Sequence, residues 1–498
     1  MSYIGRQLNL PASTVQLTAN NAIAAGKPCV IQTDGDVAQV QTGLTGDPSV
    51  GTAVVWKSQD QSTTKAIAYD TNAQKLVIAY RDTSNNYGYA VVATISASDN
   101  SISFGTPVAW NSYDTTDHHN IVYDSTAQKV VIVARQNDNK GKAAVGTVSG
   151  TSISFGSIAE FSADASNSED RLGLVYDANA DRTVIFYRDN SSGDGEAIVG
   201  TVSGTSISFG TAVTFQSAAS AGSAAVNYMS AVYDANAQKV VMAWQDRDNS
   251  NYGKAVVGTV SGTSISFGTA VTFESAGSHF LSASYDSSAQ KVAIFYQDRG
   301  NSYAGTAIVG TVSGTSISFG SPATFLASQA WYISSSYDSV AQRIVVIYSD
   351  RNTAGSNTWH GNLVVGTISG TSISFGSPLV YEAAATSYSQ DIAYDANAQR
   401  HGIIYADGGN SYYGTAIVAE AVGTNLTSEN FIGFAENDCT DNGLATIQLG
   451  GSVNDKQTSL TPGQTYFVQG DGTIGFTADS PSVTAGTAVS STKILVKG

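Results

Sequence analysis

Carboxylates recur in this sequence at two fixed spacings, and they are the first groups to weigh as chemistry. A Tyr-Asp pair occurs at Tyr69, Tyr123, Tyr176, Tyr233, Tyr285, Tyr337 and Tyr394, each followed by a turn, a Lys or Arg and an apolar run. A second acidic set, Asp82, Asp189, Asp246, Asp298, Asp350 and Asp407, closes that run. Carboxylates in such numbers could serve acid–base catalysis or hold a hard cation. Seven equivalent positions argue for a device of the fold instead, because chemistry needs one unique constellation. An Asp at the start of a hairpin loop accepts hydrogen bonds from the loop's own N–H groups. The loop DRDNSNYG places Asp246, Asp248 and Ser250 at alternate positions, as an oxygen-rich cation loop would. Asn251 stands where a calcium loop has its central Gly and no closing Glu follows, so loop capping is the reading.

The histidines give no better constellation. His118 and His119 are adjacent, and adjacent side chains of an extended segment point apart. His279, His360 and His401 are solitary, so no metal site is expected. Glu169, Asp170 and Glu196 lie outside the repeat frame with nothing to pair them, and there is no nucleophile elbow or phosphate-binding loop. The expectation is a protein that is not an enzyme and carries no cofactor.

A repeat positions these groups. GTVSGTSISFG occupies 146–156, 200–210, 258–268 and 310–320, and GTISGTSISFG occupies 366–376. Its alternation predicts a β-hairpin with Ser261-Gly262 in a two-residue turn and Gly258 breaking the first strand. Around Tyr285 the unit reads as four strands, 281–285, 291–296, 306–312 and 315–325, the last broken at Gly320. Four antiparallel strands in each of seven units predict an all-β fold, a seven-bladed β-propeller. The outer-strand string FGTPVAW at Phe104 recurs in variant form at Phe155, Phe209, Phe267, Phe319 and Phe375. VGTAVVW from Val50 precedes the first unit, whereas the last unit lacks a copy. Strand 50–56 is therefore expected to complete the seventh blade and close the ring.

At the two ends, GKPCVIQTDGDVAQV at 26–40 and GQTYFVQGDGTIGF at 463–476 are related hairpins, turning at Asp34-Gly35 and Asp471-Gly472. The expected organisation is an N-terminal segment 1–49, a propeller at 50–422 and a C-terminal module at 423–498. The two ends together form a small β-sandwich or barrel-like module. The chain has 498 residues, 13% charged and 42% hydrophobic, with a net charge of −16. That balance disfavours nucleic acid and anionic membrane as partners. There is no basic-then-apolar leader and no stretch apolar enough to span a bilayer. Cys29 and Cys439 read as two separate buried thiols.

Strand direction puts the Tyr-Asp and Ser-Gly turns on one face, where the copies are nearly constant. The opposite face carries loops that differ between copies and hold the candidate binding residues. These are His118, His119, Phe280, Trp331, Tyr332, Trp359, His360, Tyr388, Tyr412 and Tyr413, beside Tyr113, Tyr228 and His279. Aromatic and small polar groups on irregular loops suit recognition of sugars or protein surfaces.

The opening MSYIG, the tandem VGTVSGTSISFG repeats and the closing ENFIGFAEND, LTPGQTYFVQGDGTIG and KILVKG resemble virion structural proteins of tailed bacteriophages, especially those of marine and cyanobacterial hosts. The resemblance covers nearly the whole chain, and the flanking module is similar to small β domains on tail fibres and capsid decoration proteins. It implies a particle component, made in the host cytoplasm and displayed on the virion surface. Its implied partners are other virion proteins, through the terminal module, and a host-surface glycan or protein; it would be oligomeric on the particle. No receptor residue carries over. The expectation is a non-enzymatic, tail-fibre or adhesin-like protein for host attachment. The alternatives are a capsid decoration or head-fibre protein and a carbohydrate-active propeller enzyme. A convergent acid pair in a deep pocket would favour the enzyme, and a shallow aromatic face the binder.

Overall fold

A computed structural model of the chain describes residues 14–31, 35–40, 48–61, 65–96, 100–113, 118–165, 172–221, 223–351, 359–383, 387–421, 426, 430–469, 472–476 and 483–497. The described regular elements are β-strands, apart from two three-residue 3-10 turns at Arg299–Asn301 and Gly408–Asn410. The fold is all-β. The chain divides into two compact units, Pro48–Ala421 and the combination of Met1–Asp47 with Val422–Gly498.

Within Pro48–Ala421 one ladder recurs. Around Tyr285, the end of Val271–Asp286 is the innermost strand and pairs with Lys291–Asp298, which pairs with Ala304–Ser313. The outer edge is made by Ser316–Phe319 and the start of Ala323–Asp338, which then crosses to become the innermost strand of the next unit. Seven units of this pattern follow one another among the described residues. The hairpin differs from expectation by one place. Ser261 pairs with Ser264, so the turn residues are Gly262 and Thr263. Gly262 has φ 60°, as the first position of a type II′ turn requires. Nor does Gly258 break its strand, for it pairs with both Val240 and Phe267.

The second strands are buried on both faces, which is why KVAIFYQD is an almost continuous apolar run. Alternate residues serve opposite neighbours. Val292, Ile294 and Tyr296 pack with Val241 and Ala243 of the preceding unit, and Ala293 and Phe295 with Ile344, Val346 and Tyr348 of the following one. The ring at the end of each outer strand meets a ring in the next unit. Phe215 and Trp244 lie 5.2 Å apart, Phe273 and Tyr296 5.3 Å, Phe325 and Tyr348 5.2 Å, and Tyr381 and Tyr405 5.4 Å. Such a pair contributes about 0.5–1.5 kcal/mol beyond area burial.

The same contacts join the last unit to the first. Ser49–Val50 and Val54–Asp60 pair with Tyr413–Glu420, and Trp56 then meets Tyr80 of the first unit at 4.7 Å. On the turn face, Asn397 N donates to Tyr69 Oη at 3.1 Å across this junction, as Asn236 N does to Tyr285 Oη at 3.1 Å between adjacent units. The tyrosine of each of these Tyr-Asp pairs is thus a clasp between units.

The outer strand is interrupted where backbones approach. A Cβ added to Gly268 would lie 1.9 Å from Thr315 O in the next unit's hairpin turn, and Gly105, Gly156, Gly210 and Gly320 meet the equivalent oxygen. Among the described residues, Gly376 meets only Val365 O, at 4.0 Å, and the last unit takes its outer edge from the N-terminal strand.

The second unit contains two five-stranded antiparallel sheets among its described residues. One runs in the order Thr14–Thr18, Leu444–Gln448, Phe431–Ala435, Pro28–Ile31, Val37–Gln39. The other runs Val453–Asn454, Lys493–Val496, Val483–Ser490, Thr465–Val468, Ile474–Gly475. Val30, Ala38, Val40, Phe434, Tyr466, Val468, Ile494 and Val496 share one core, so both end hairpins contribute to it. Asp34 and Asp471 lie outside the described residues. Cys29 is buried and Cys439 partly so, both as free thiols, and burial pushes the Cys29 thiol up to about 12.

Candidate recognition rim

The acidic residues are engaged with the protein itself. In the Tyr-Asp turns, Asp286 Oδ1 accepts from Ser288 N at 2.9 Å and Ala289 N at 2.8 Å, and the other six aspartates accept from their own loops in the same way. Gln290 closes this loop with φ 54°, and Gln74, Gln128, Asp181, Gln238, Gln342 and Gln399 repeat it. In the second set, Asp298 accepts from Gly300 N and Asn301 N, Asp350 from Ser328 Oγ, and Asp189 from Ser191 and Ser192. The DRDNSNYG loop has a cation of its own chain. Lys254 Nζ sits 2.6 Å from Asp246 Oδ2, and Asp248 accepts from Ala219 N.

On the opposite edge the innermost strands begin with a β-bulge. His279 opposes Gln297 and Ser282 opposes Phe295, so residues 280 and 281 face a single residue of the partner. The same shift occurs between Asn227 and Ser230, Trp331 and Ser334, and Tyr388 and Asp391. At the bulge Tyr228, Phe280, Tyr332 and Ser389 have φ of 48°, 49°, 50° and 45°. A bulky residue held there costs on the order of 1–3 kcal/mol and is re-aimed out of the sheet. Buried glutamines hold the bulged segments, Gln245 Nε2 donating to Ser278 O at 2.9 Å and Gln297 Nε2 to Ala330 O at 2.6 Å.

Three successive bulges place their rings in a row. Tyr228 and Phe280 are 5.1 Å apart, and Phe280 and Tyr332 5.2 Å. A second tier adds His279, stacked on Tyr228 at 4.7 Å, Trp331, 5.1 Å from Phe280, and Trp359, 5.0 Å from Trp331 and 5.8 Å from Tyr332. Tyr228 is buried beneath, while the other five rings are partly exposed. The guanidinium of Arg351 lies over both tryptophans, 5.5 Å from Trp331 and 5.3 Å from Trp359. Arg247 and Arg299 hold the equivalent positions in the two preceding units, and all three arginines are exposed. Burial, then the positive charges of Arg299 and Arg247, push His279 down to about 4, so it is neutral at pH 7.

Of the residues singled out by sequence, Phe280, Trp331, Tyr332 and Trp359 come together here. His360 follows Trp359 at the start of the third strand, where it pairs with Asp350. Tyr412 and Tyr413 lie in the last unit, Tyr413 pairing with Asp407 and with Asp60 of the closing strand. Tyr388 belongs to Ser387–Asp395, and its side chain is outside the described residues. His118 and His119 are buried, away from any surface role. His119 presents its ring edge-on to Trp110 at 5.9 Å, taking the place that a tyrosine or tryptophan fills in other units, because Ala134 is too small to fill it. Burial drives His119 down to about 3. Sequence reading passed over Arg247, Arg299 and Arg351, although an Asp-Arg pair ends the second strand in three consecutive units.

No protein-family model matches the chain, and its sequence matches none of the curated proteins it was compared with. Solved structures do match. The BP39L lectin from Burkholderia pseudomallei superposes with a TM-score of 0.55 at 11% identity, over 74% of this chain and 98% of that one. In fold, the ring is similar to a lectin. Looser likenesses are the Aleuria aurantia lectin in complex with Fucα1-6GlcNAc (TM-score 0.40, 14% identity, 66% of this chain and 98% of that) and the NanB sialidase from Streptococcus pneumoniae (TM-score 0.42, 11% identity, 74% and 70%). Both are too distant to bear on the site.

Proposed function

We propose that this protein is a non-catalytic surface-recognition protein of a tailed-phage particle, binding a host-surface glycan through the aromatic rim and docking to other virion proteins through its two-sheet terminal unit. One observation carries the reading. Three bulges hold bulky rings at positive φ, a cost that the strand pairing itself does not need, and a partly exposed row of rings results. Ring faces suit the apolar faces of sugars, and rigid rings give contact area at low entropy cost. The likeness of the fold to a lectin supports this, and the resemblance of the repeats and end segments to phage virion proteins supports the particle assignment. Against a hydrolase, the recurrent aspartates accept hydrogen bonds from their own loops.

The test is binding of the labelled protein to a glycan panel and to host cells, beside its thermal unfolding. Trp331→Ala and Trp359→Ala should each weaken binding by about tenfold or more while the unfolding midpoint stays nearly fixed. Unchanged binding with a lowered midpoint would make the rings packing residues, and a decoration role would replace attachment.

A further inference from the structure

The chain carries 40 acidic against 24 basic residues, yet the aromatic rim is flanked by arginines. Arg247, Arg299 and Arg351 end the second strand of three consecutive units, and all are exposed. Among the described residues none of the three forms an ion pair. Their acidic neighbours are committed elsewhere: Asp246 to Lys254, Asp248 to Ala219 N, Asp298 to Gly300 N and Asn301 N, and Asp350 to Ser328 Oγ. The arginines are also held in place. Arg247 N donates to Ala225 O at 3.0 Å and Arg351 N to Gln329 O at 3.2 Å, while the Arg351 guanidinium lies over Trp331 and Trp359 and that of Arg299 over Tyr303 at 5.6 Å. Arg247 and Arg299 both act on His279, and Arg247 on Arg188 of the unit before.

A guanidinium lying over a ring face with no ion pair among the described residues has its fork of N–H donors to offer a ligand. That fork matches a carboxylate or sulfate with two parallel hydrogen bonds. One arginine per unit, beside a row of rings, offers repeated charge contacts next to repeated sugar-face contacts. We infer that the ligand of the rim is an acidic polysaccharide, its carboxylates or sulfates held by Arg247, Arg299 and Arg351 and its sugar faces by Phe280, Trp331, Tyr332 and Trp359. The inference rests on the recognition reading above and narrows it to one class of polymer.

The experiment measures binding of the whole protein to polygalacturonate and to a sulfated galactan, each beside its neutral counterpart, the carboxyl-reduced and the desulfated polymer. Duplex DNA serves as a polyanion without exposed sugar faces. The expected result is binding to one acidic polymer at least about tenfold tighter than to its neutral counterpart, and weaker as salt rises. The two acidic arms decide between carboxylate and sulfate. Arg247→Gln/Arg299→Gln, which spares the tryptophan stack, and the triple variant adding Arg351→Gln should bring acidic binding down towards the neutral level with an unchanged unfolding midpoint. Equal binding of acidic and neutral polymers, undisturbed by either variant, would overturn the inference while leaving glycan recognition standing. Tighter binding to DNA would also overturn it. Failure to bind any polysaccharide would overturn both readings.

Discussion

Asp286 and Arg351 stand at opposite ends of equivalent hairpins, one at the turn edge of the ring and the other at its rim. Asp286 is buried and accepts from two N–H groups of its own loop, and its neighbour Tyr285 accepts from the preceding unit. Arg351 is exposed, and among the described residues its charge lies over ring faces alone. The turn edge spends its polar groups on backbone and on the next unit, so each copy must keep the same residues. The rim is freed from that duty because the ladders are already fixed from the other edge, and its side chains can differ from unit to unit. Stability and recognition are thereby assigned to opposite edges of the same strands.

The widest separation should come from two glycines of the same motif. Gly268→Ala drives a methyl against Thr315 O and should lower unfolding stability by about 3 kcal/mol, whereas Gly376→Ala, whose nearest contact among the described residues is Val365 O at 4.0 Å, should stay within about 0.5 kcal/mol. Equal midpoints in thermal unfolding would break the claim that backbone approach between units is what fixes this residue. Next comes acid sensitivity in the ring's interior. His401 is wholly buried against Tyr394 and pushed down to about 3 from an ordinary 6.5. The unfolded chain therefore takes up its proton first as pH falls. The stability present above about pH 6.5 is lost progressively towards pH 3, roughly 2 kcal/mol of it by pH 5. His401→Val, the residue that Val240 and Val292 supply in other units, should make the pH dependence of the midpoint shallower across that window, where His119 and His279 contribute in the same sense, and leave rim binding alone. A variant with the same slope as the native protein would count against the buried neutral imidazole.

Smaller effects belong to the turn edge. Asp286→Ala strands two loop N–H groups and should cost about 1.5 kcal/mol. Tyr285→Phe removes the acceptor for Asn236 N and should cost about 1 kcal/mol. Neither should alter ligand affinity in the glycan assay. A loss of affinity without loss of stability would show that the two edges are not separate in function.

The strands were legible because repetition exposes what a single copy hides. Alternation in GTVSGTSISFG and the apolar run after each Tyr-Asp pair mark the ladder, and VGTAVVW supplies the edge that the last unit lacks. The hairpin turn was misplaced by one residue because alternation does not say where pairing stops; the type II′ turn needs Gly262 at its first position. The bulges were not legible. Phe280 and Tyr332 occupy a backbone region usually marked by glycine, and nothing in their type announces it. The burial of His119 is not legible at its own position, because it depends on Ala134, a small residue in a strand 15 residues on. The rim aromatics were found as types on loops, but their assembly with Arg351 depends on which units are neighbours in space.

The strand that closes the ring has a consequence in time. Val55 pairs with Thr415, some 360 residues later in the chain. At a synthesis rate of roughly 10 residues per second, the segment Val54–Asp60 waits on the order of half a minute on the emerging chain before its partner exists. Throughout that interval an unpaired strand edge and the ring of Trp56 face the crowded solution around the ribosome. The contact that gives the finished ring no free end is thus also the last available to it, and the hazard of aggregation is concentrated in the interval before the final unit is made.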